Sequence, residues 1–217
     1  MGLRSLVKEL PFATSAYALA RLMFGRNARF TTDYRKNSGV GSDLETTRAV
    51  AAALPGVIES LSVRGMLDIP CGDFAWMRHV DIGAATYIGA DIIRELVLSH
   101  ERLHTTNTRR FVVLDIVADD LPQADLILCR DCLVHFSYRL IRKAVRNIRR
   151  SQSTYLLTTS FPEHSNSDIV TGNWRPLNLC RPPFDFPPPI QLINEGHPFP
   201  YGDKSLGLWQ ISGLPEL

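Results

Sequence analysis

The chain has 217 residues, 45% hydrophobic and 9% aromatic, with 24 Lys+Arg against 22 Asp+Glu and a net charge of +2. That length suits one globular domain, and the composition is not that of a disordered chain. A near-neutral charge argues against a dedicated duplex-DNA binder, and the lack of an uninterrupted apolar run of 18 residues argues against a transmembrane helix.

The N-terminal stretch Leu10 to Leu22 is mildly apolar, follows Arg4 and Lys8, and is diluted by Pro11, Thr14 and Ser15. It reads as an amphipathic helix packed on the domain, with contact to a membrane surface as the alternative. Asn37 to Ser42 forms a polar, glycine-containing loop before a helix-like segment from Asp43 to Leu54. Backbone N–H groups of Ser38, Gly39 and Gly41 are suited to cradling an anion; the alternative is a plain linker. Residues 1–54 are therefore expected to be an N-terminal extension, and 55–217 the main domain.

From residue 55 the pattern is regular. Apolar runs lie at Met66–Ile69, Tyr87–Ala90, Phe111–Leu114, Asp125–Cys129 and Thr154–Thr159. Helical spacing of Leu140, Ile141, Ala144, Val145 and Ile148 leaves Arg142, Lys143, Arg146, Arg149 and Arg150 on the opposite side. Strands alternating with helices predict a parallel α/β sheet, and near-continuous apolar strands predict burial on both faces. Residues 162–189 are too rich in proline for an ordinary crossover helix and read as a substrate loop. Ile190–Ile193 and Lys204–Ser212 read as two last strands.

Four strand ends carry an acid: Asp68, Asp91, Asp115 and Asp131. One such Asp is an ordinary turn or cap residue. Four in succession crowd the sheet edge at which α/β proteins bind ligands, and call for a ligand rich in hydroxyls or bearing positive charge. Asp91 lies 23 positions beyond Asp68, where an acid grips ribose hydroxyls. The first turn, Asp68-Ile69-Pro70-Cys71-Gly72-Asp73-Phe74, has one glycine and a second carboxylate, which opposes a pyrophosphate. S-adenosylmethionine (SAM), an adenosyl cation without phosphates, suits it better.

On these residues the chain resembles the class I SAM-dependent methyltransferases. Asp68 and Gly72 match the family's first motif, while Pro70 and Phe74 replace two of its glycines. The D-I-P-C-G-D-F form, with Arg130-Asp131-Cys132-Leu133-Val134-His135, is similar to a bacterial branch of that family, over roughly residues 37 to 212. The resemblance implies a Rossmann-like, seven-stranded, mostly parallel sheet with helices on both faces. Its last strand would be antiparallel, between the fifth and sixth. It also implies SAM as cofactor. Asp91 would take the ribose hydroxyls, Asp115 the adenine amino group, and the Ile116 backbone the ring; Asp68 and Gly72 would line the methionine end. Arg130 is grouped with them and expected to ion-pair within the site. The loop from Ser38 to Gly41 would receive the methionine carboxylate.

Methyl transfer needs alignment and, for a hydroxyl acceptor, loss of a proton. His135 is the expected general base, because its unperturbed pKa of about 6.5 lies near working pH. Asp131 would orient it or act itself; the alternative is that Asp131 caps a helix and His135 packs beside Phe136. Trp174, Arg175, Asn178 and Glu195 are the expected acceptor contacts; Glu163, His164, Glu195 and His197 are reserve acid/base candidates, each more often structural than catalytic. The expected activity is methylation of a small molecule, on a hydroxyl of a sugar, a glycan precursor or a secondary metabolite. The alternative is a cofactor-binding partner or regulator without turnover. An RNA acceptor is disfavoured, because the arginine-rich helix face is more simply solvated. No metal site is expected. Cys129-x-x-Cys132 has no partner pair for zinc, and the four cysteines read as reduced thiols of a cytoplasmic protein. Oligomeric state is left open.

Overall fold

The computed structural model describes residues 40–217. The expected N-terminal amphipathic helix, with Ser38 and Gly39, lies outside the described residues. Asp43 opens the described chain by accepting the N–H groups of Glu45 and Thr46 through its carboxylate, at 3.0 and 2.8 Å. This turn delays the first helix, α1, to Arg48–Ser60. The helix then runs on through Pro55 and past residue 54, where the main domain was expected to begin. It does so because Val50, Leu54, Val57 and Ile58 are all buried against the sheet, and that burial outweighs the hydrogen bond a proline forfeits.

Seven strands follow the predicted order: β1 Gly65–Asp68, β2 Thr86–Asp91, β3 Arg109–Val113, β4 Leu126–Cys129, β5 Tyr155–Ser160, β6 Gln191–Asn194 and β7 Ser205–Gln210. They form one sheet in the order β3-β2-β1-β4-β5-β7-β6. β7 is antiparallel to both its neighbours, β5 and β6, and every other pairing is parallel. The strand order reverses at β1 and β4, so the carboxyl ends of those strands flank the crevice of the sheet.

Period-two alternation divides the core. Met66, Leu126, Leu128 and Leu157 point to the face covered by α1 and by α2 (Arg94–His104). Leu67, Ile127, Cys129 and Leu156 point to the face covered by α3 (Tyr138–Arg150). Both faces are buried, which is why the strands read as unbroken apolar runs. On α3, Ile141, Ala144, Val145 and Ile148 are buried as expected, while Leu140 is half-buried and Asn147 is buried. Asn147 Nδ2 donates to the carbonyls of Ile116 and Asp119, at 3.0 and 2.6 Å, tying α3 to the turn after β3.

The proline-rich segment is largely wall rather than cover. Leu177, Leu179, Phe184 and Phe186 are buried on the α3 face, where a crossover helix would otherwise lie. Its first part turns along the carboxyl edge. Asp168 accepts the N–H of Tyr138 at 2.7 Å and so caps α3 from outside the helix, and Thr171 Oγ1 accepts the N–H of Ser137 at 2.9 Å. Among the described residues, no helix is long and apolar enough to cross a membrane.

Gly89 on β2 sits in register with Phe111 of β3. A Cβ there would stand 2.6 Å from Phe111 Cδ1, and that ring is wedged against Phe74, Tyr87 and His100. Gly89→Ala should therefore destabilise the fold by about 2 kcal/mol through overpacking. Gly56 lies on the exposed side of α1 with nothing within 4 Å of an added Cβ. Gly56→Ala should stabilise by about 1 kcal/mol through helix propensity. Thermal melts followed by circular dichroism should shift in opposite directions for the two variants.

Candidate active site

The four strand-end acids fall along one edge of the sheet, but each has a different environment. Asp68 closes β1 and is buried, accepting the Tyr87 hydroxyl at 2.6 Å. Burial, opposed by that hydrogen bond, pushes its pKa up to about 7. Asp91 closes β2, also buried. It accepts the N–H of Gly72 at 3.1 Å and that of Ile93 at 2.9 Å, and burial raises its pKa to about 6. It therefore clamps the first turn to the start of α2.

That turn is shaped from below. His100 Nε2 donates to the Gly72 carbonyl at 2.8 Å, and burial lowers the His100 pKa, so the ring is neutral. The Cys71 N–H donates to the Ala90 carbonyl at 2.8 Å. Gly72 and Phe74 both have positive φ, 54° and 57°. Phe74 occupies a place where the resemblance calls for glycine. Its backbone takes a conformation glycine adopts freely, while its buried ring packs on Tyr87, His100 and Phe111. The substitution thus fills the core and leaves the outer side of the turn open.

Asp115 follows β3, half-buried, with its pKa raised by burial. It accepts the N–H of Val117 at 2.8 Å. The Ile116 side chain is buried in the core, and its N–H makes no hydrogen bond among the described residues. A backbone donor is therefore available beside Asp115.

Beyond β4 the chain turns through a left-handed residue. Asp131 has φ 51°, a conformation that costs a non-glycine residue on the order of 1 kcal/mol or more. Its N–H is held by Thr159 Oγ1 at 2.8 Å, and its carboxylate meets Lys204 Nζ at 2.7 Å and Arg130 Nη1 at 3.3 Å. Arg130 Nη2 meets Glu195 at 2.5 Å, Nη1 donates to the Gly41 carbonyl at 2.7 Å, and Lys204 lies 3.4 Å from Glu195. Two cations and two carboxylates are thus interlocked, with Arg130, Glu195 and Lys204 buried. Arg130 does ion-pair as expected, but its guanidinium is spent on Glu195 and Gly41.

The expected Asp131–His135 partnership is replaced by another. Asp131 is engaged by Lys204 and Arg130, whereas His135 Nδ1 pairs with the Asn173 carbonyl at 3.1 Å. A short 3-10 turn, Leu133–His135, carries the histidine just beyond Asp131. Burial lowers the His135 pKa. With Nδ1 donating to a carbonyl, the neutral ring keeps its lone pair on Nε2.

Three expected acceptor contacts turn inward. Arg175 is buried and donates to the carbonyls of Leu133, Val134 and Phe136, at 3.0, 2.7 and 2.9 Å. Asn178 is buried and donates to the carbonyls of Pro162 and His164. Glu195 is held by Arg130 and Lys204, although its Oε1 is buried without a partner among the described residues. All three brace loops, because a buried carbonyl or cation must be satisfied locally. Trp174 is the exception. It is 40% exposed and lies edge-on to Tyr201, with ring centroids 4.8 Å apart. The sequence reading missed Tyr87, His100, Thr159 and Lys204, each of which reaches a partner distant in sequence with no local pattern. Among the described residues there is no group of three potential metal ligands.

No family model matches the chain, and no curated protein does. Solved structures do. A 1,6-didemethyltoxoflavin-N1-methyltransferase from Burkholderia thailandensis, with bound 1,6-didemethyltoxoflavin and S-adenosylhomocysteine, is 16% identical. The match covers 93% of this chain and 91% of that one, with a TM-score of 0.59. The N-methyltransferase NodS from Bradyrhizobium japonicum WM9 is 12% identical over 79% and 98% of the two chains, with a TM-score of 0.56. Human N-acetylserotonin methyltransferase, in complex with SAM, is 17% identical over 91% and 66%, with a TM-score of 0.53. The fold is the class I methyltransferase fold. The seven-stranded sheet with its antiparallel β7 agrees with the topology expected from the sequence.

Removing Arg130 should expose how much rests on it. Arg130→Met leaves Glu195 buried with Lys204 alone and the Gly41 carbonyl unpaired. It should lower stability by about 3–5 kcal/mol, the usual cost of breaking a buried ion pair from one side. Urea unfolding followed by tryptophan fluorescence measures this. A loss below about 1 kcal/mol would place the pair among surface bridges instead.

Proposed function

We propose that the protein is a SAM-dependent methyltransferase acting on a hydroxyl of a small molecule, either a sugar or glycan precursor or a secondary metabolite. The observation that carries this reading is Asp91. It is a buried carboxylate at the end of β2, fixed by two backbone N–H groups and joined to the single-glycine turn. A carboxylate has about four acceptor sites, so two remain for vicinal hydroxyls of a ribose. The free Ile116 N–H and the Asp115 carboxylate suit an adenine edge. Gly72 and the loop containing Ser38, Gly39 and Gly41 suit the methionine end. SAM or its demethylated product is bound in two of the proteins compared above, which share this fold.

Bound SAM supplies an electrophilic methyl group on a sulfonium sulfur. The protein's own part is to orient the acceptor and remove its proton. His135, neutral through burial and tethered by Nδ1, offers Nε2 as a hydrogen-bond acceptor that orients the substrate at the turn after β4. Asp131, held by Lys204, keeps that turn in its unusual conformation. Three of the four cysteines are buried and free, which suits a reducing, cytoplasmic setting.

Calorimetry should show SAM and S-adenosylhomocysteine binding. Asp91→Ala should weaken both by about 1.5–3 kcal/mol, the worth of hydrogen bonds to a charged group. The pH dependence follows from the raised pKa of Asp91. Above about pH 6 the carboxylate is ionised and accepts from the ribose; as pH falls through 6 it gains a proton, and affinity drops. Asp91→Asn should flatten that profile. Unchanged affinity in Asp91→Ala would refute the ribose assignment. Binding without any transfer of label from methyl-tritiated SAM to cell-extract metabolites would favour a partner role over an enzyme.

A further inference from the structure

A second histidine at the same edge is better equipped than its sequence context suggests. His164 lies four residues past β5, and Asp203 two residues before β7. His164 Nδ1 pairs with Asp203 Oδ2 at 3.0 Å. The same oxygen accepts the N–H of Glu163 at 2.9 Å, so the carboxylate is anchored to the loop that carries the ring. The Asp203 side chain is 5% exposed, while that of His164 is 27% exposed. Asp203 Oδ1 is buried and has no partner among the described residues. With Nδ1 bound to a carboxylate, Nδ1 carries the hydrogen and Nε2 the lone pair. Nε2 makes no hydrogen bond among the described residues.

Around this pair stand aromatic rings from two connections, β5–β6 and β6–β7. His164 packs on Phe161 and Tyr201, with centroids 5.7 and 5.8 Å apart. Tyr201 meets Trp174 at 4.8 Å, and Phe161 meets Trp174 at 5.9 Å. Trp174 is the exposed member. Residue 173, next to it, holds His135 through its carbonyl. Lys204, next to Asp203, holds Asp131. The dyad and its ring wall therefore adjoin the turn after β4, where the acceptor is placed by the reading above.

We propose that His164, aligned by Asp203, takes the proton from a phenolic hydroxyl whose ring lies against Trp174 and Tyr201. This rests on the proposed methyltransferase function and narrows its acceptor to a hydroxylated aromatic. A phenol has a pKa of about 10, close enough to imidazole for proton transfer to assist; an alkyl alcohol is far weaker as an acid. In the step, the acceptor oxygen forms a bond to the methyl carbon as the methyl–sulfur bond breaks. That electron pair stays on sulfur, leaving neutral S-adenosylhomocysteine. The hydroxyl proton goes to His164 Nε2, the imidazolium is stabilised by Asp203, and the proton later passes to water. His164 is the catalytic residue here and Asp203 its positioning residue.

The test uses the full chain loaded with S-adenosylhomocysteine and needs no known acceptor. Diethyl pyrocarbonate acylates accessible neutral imidazole, and peptide mass spectrometry reports the rate at each histidine. His164 should be acylated, and Asp203→Asn should slow that reaction by about tenfold or more, because the ring loses its carboxylate alignment. 4-Nitrophenol should protect His164 in proportion to its occupancy, and Trp174→Ala should abolish that protection. His164→Gln should keep wild-type affinity for S-adenosylhomocysteine. An inert His164, a rate unchanged by Asp203→Asn, absent protection, or loss of S-adenosylhomocysteine binding in His164→Gln would each overturn the inference. Failure of the wild-type protein to bind S-adenosylhomocysteine would instead overturn the methyltransferase reading, and this inference with it.

Discussion

The carboxyl edge of the sheet depends on one buried contact, the ion pair of Arg130 with Glu195. Arg130 leaves the end of β4, Glu195 the end of β6, and the same guanidinium holds the Gly41 carbonyl before α1. Lys204 and Asp131 complete a neutral set of four charges. Burying any one of them alone would cost several kcal/mol. Together they hold the β6–β7 hairpin, the turn after β4 and the loop before α1 in a single arrangement. The positive φ of Asp131 persists because the contacts on both sides of it over-determine the backbone.

The other acids are stabilised differently. Asp68 and Asp91 are both buried at adjacent strand ends, and among the described residues no cation forms a salt bridge with either. Burial raises their pKa values, and a tyrosine hydroxyl and backbone N–H groups partly offset that rise. Protons and dipoles rather than salt bridges thus moderate the row of acids. That leaves the β1–β2 side of the edge electronegative and the β4–β7 side internally neutral. A cationic adenosyl ligand fits the first, and an uncharged acceptor fits the second.

The elements read well in sequence because their signals are local. Each of the seven strands was visible as an apolar run, and continuous runs implied two covered faces, as the Met66/Leu67 and Leu126/Ile127 alternation bears out. The α1 boundaries were less legible. Asp43 and the Thr46–Thr47 pair form a turn where a helix start was expected, and Pro55 concealed a helix that tertiary burial carries through. The proline-rich segment was recognised as non-helical. Its buried Leu177, Leu179, Phe184 and Phe186, however, make it core, which proline spacing alone does not disclose.

Residue type and spacing along the chain determined the strand-end acids, the order of elements and the topology they fit. These depend on neighbours within a few positions and on the pleat's period of two. Partnerships did not follow. Arg175 and Asn178 carry side chains suited to a substrate, yet the structure spends them on loop carbonyls. His135 stands four residues from Asp131, yet it bonds to Asn173. His164 gained Asp203 across 39 positions. Burial turns each polar group toward whatever complementary group the fold brings near it. That choice is made in three dimensions, where Lys204 reaches Asp131 and Tyr87 reaches Asp68 from strands the local sequence does not connect.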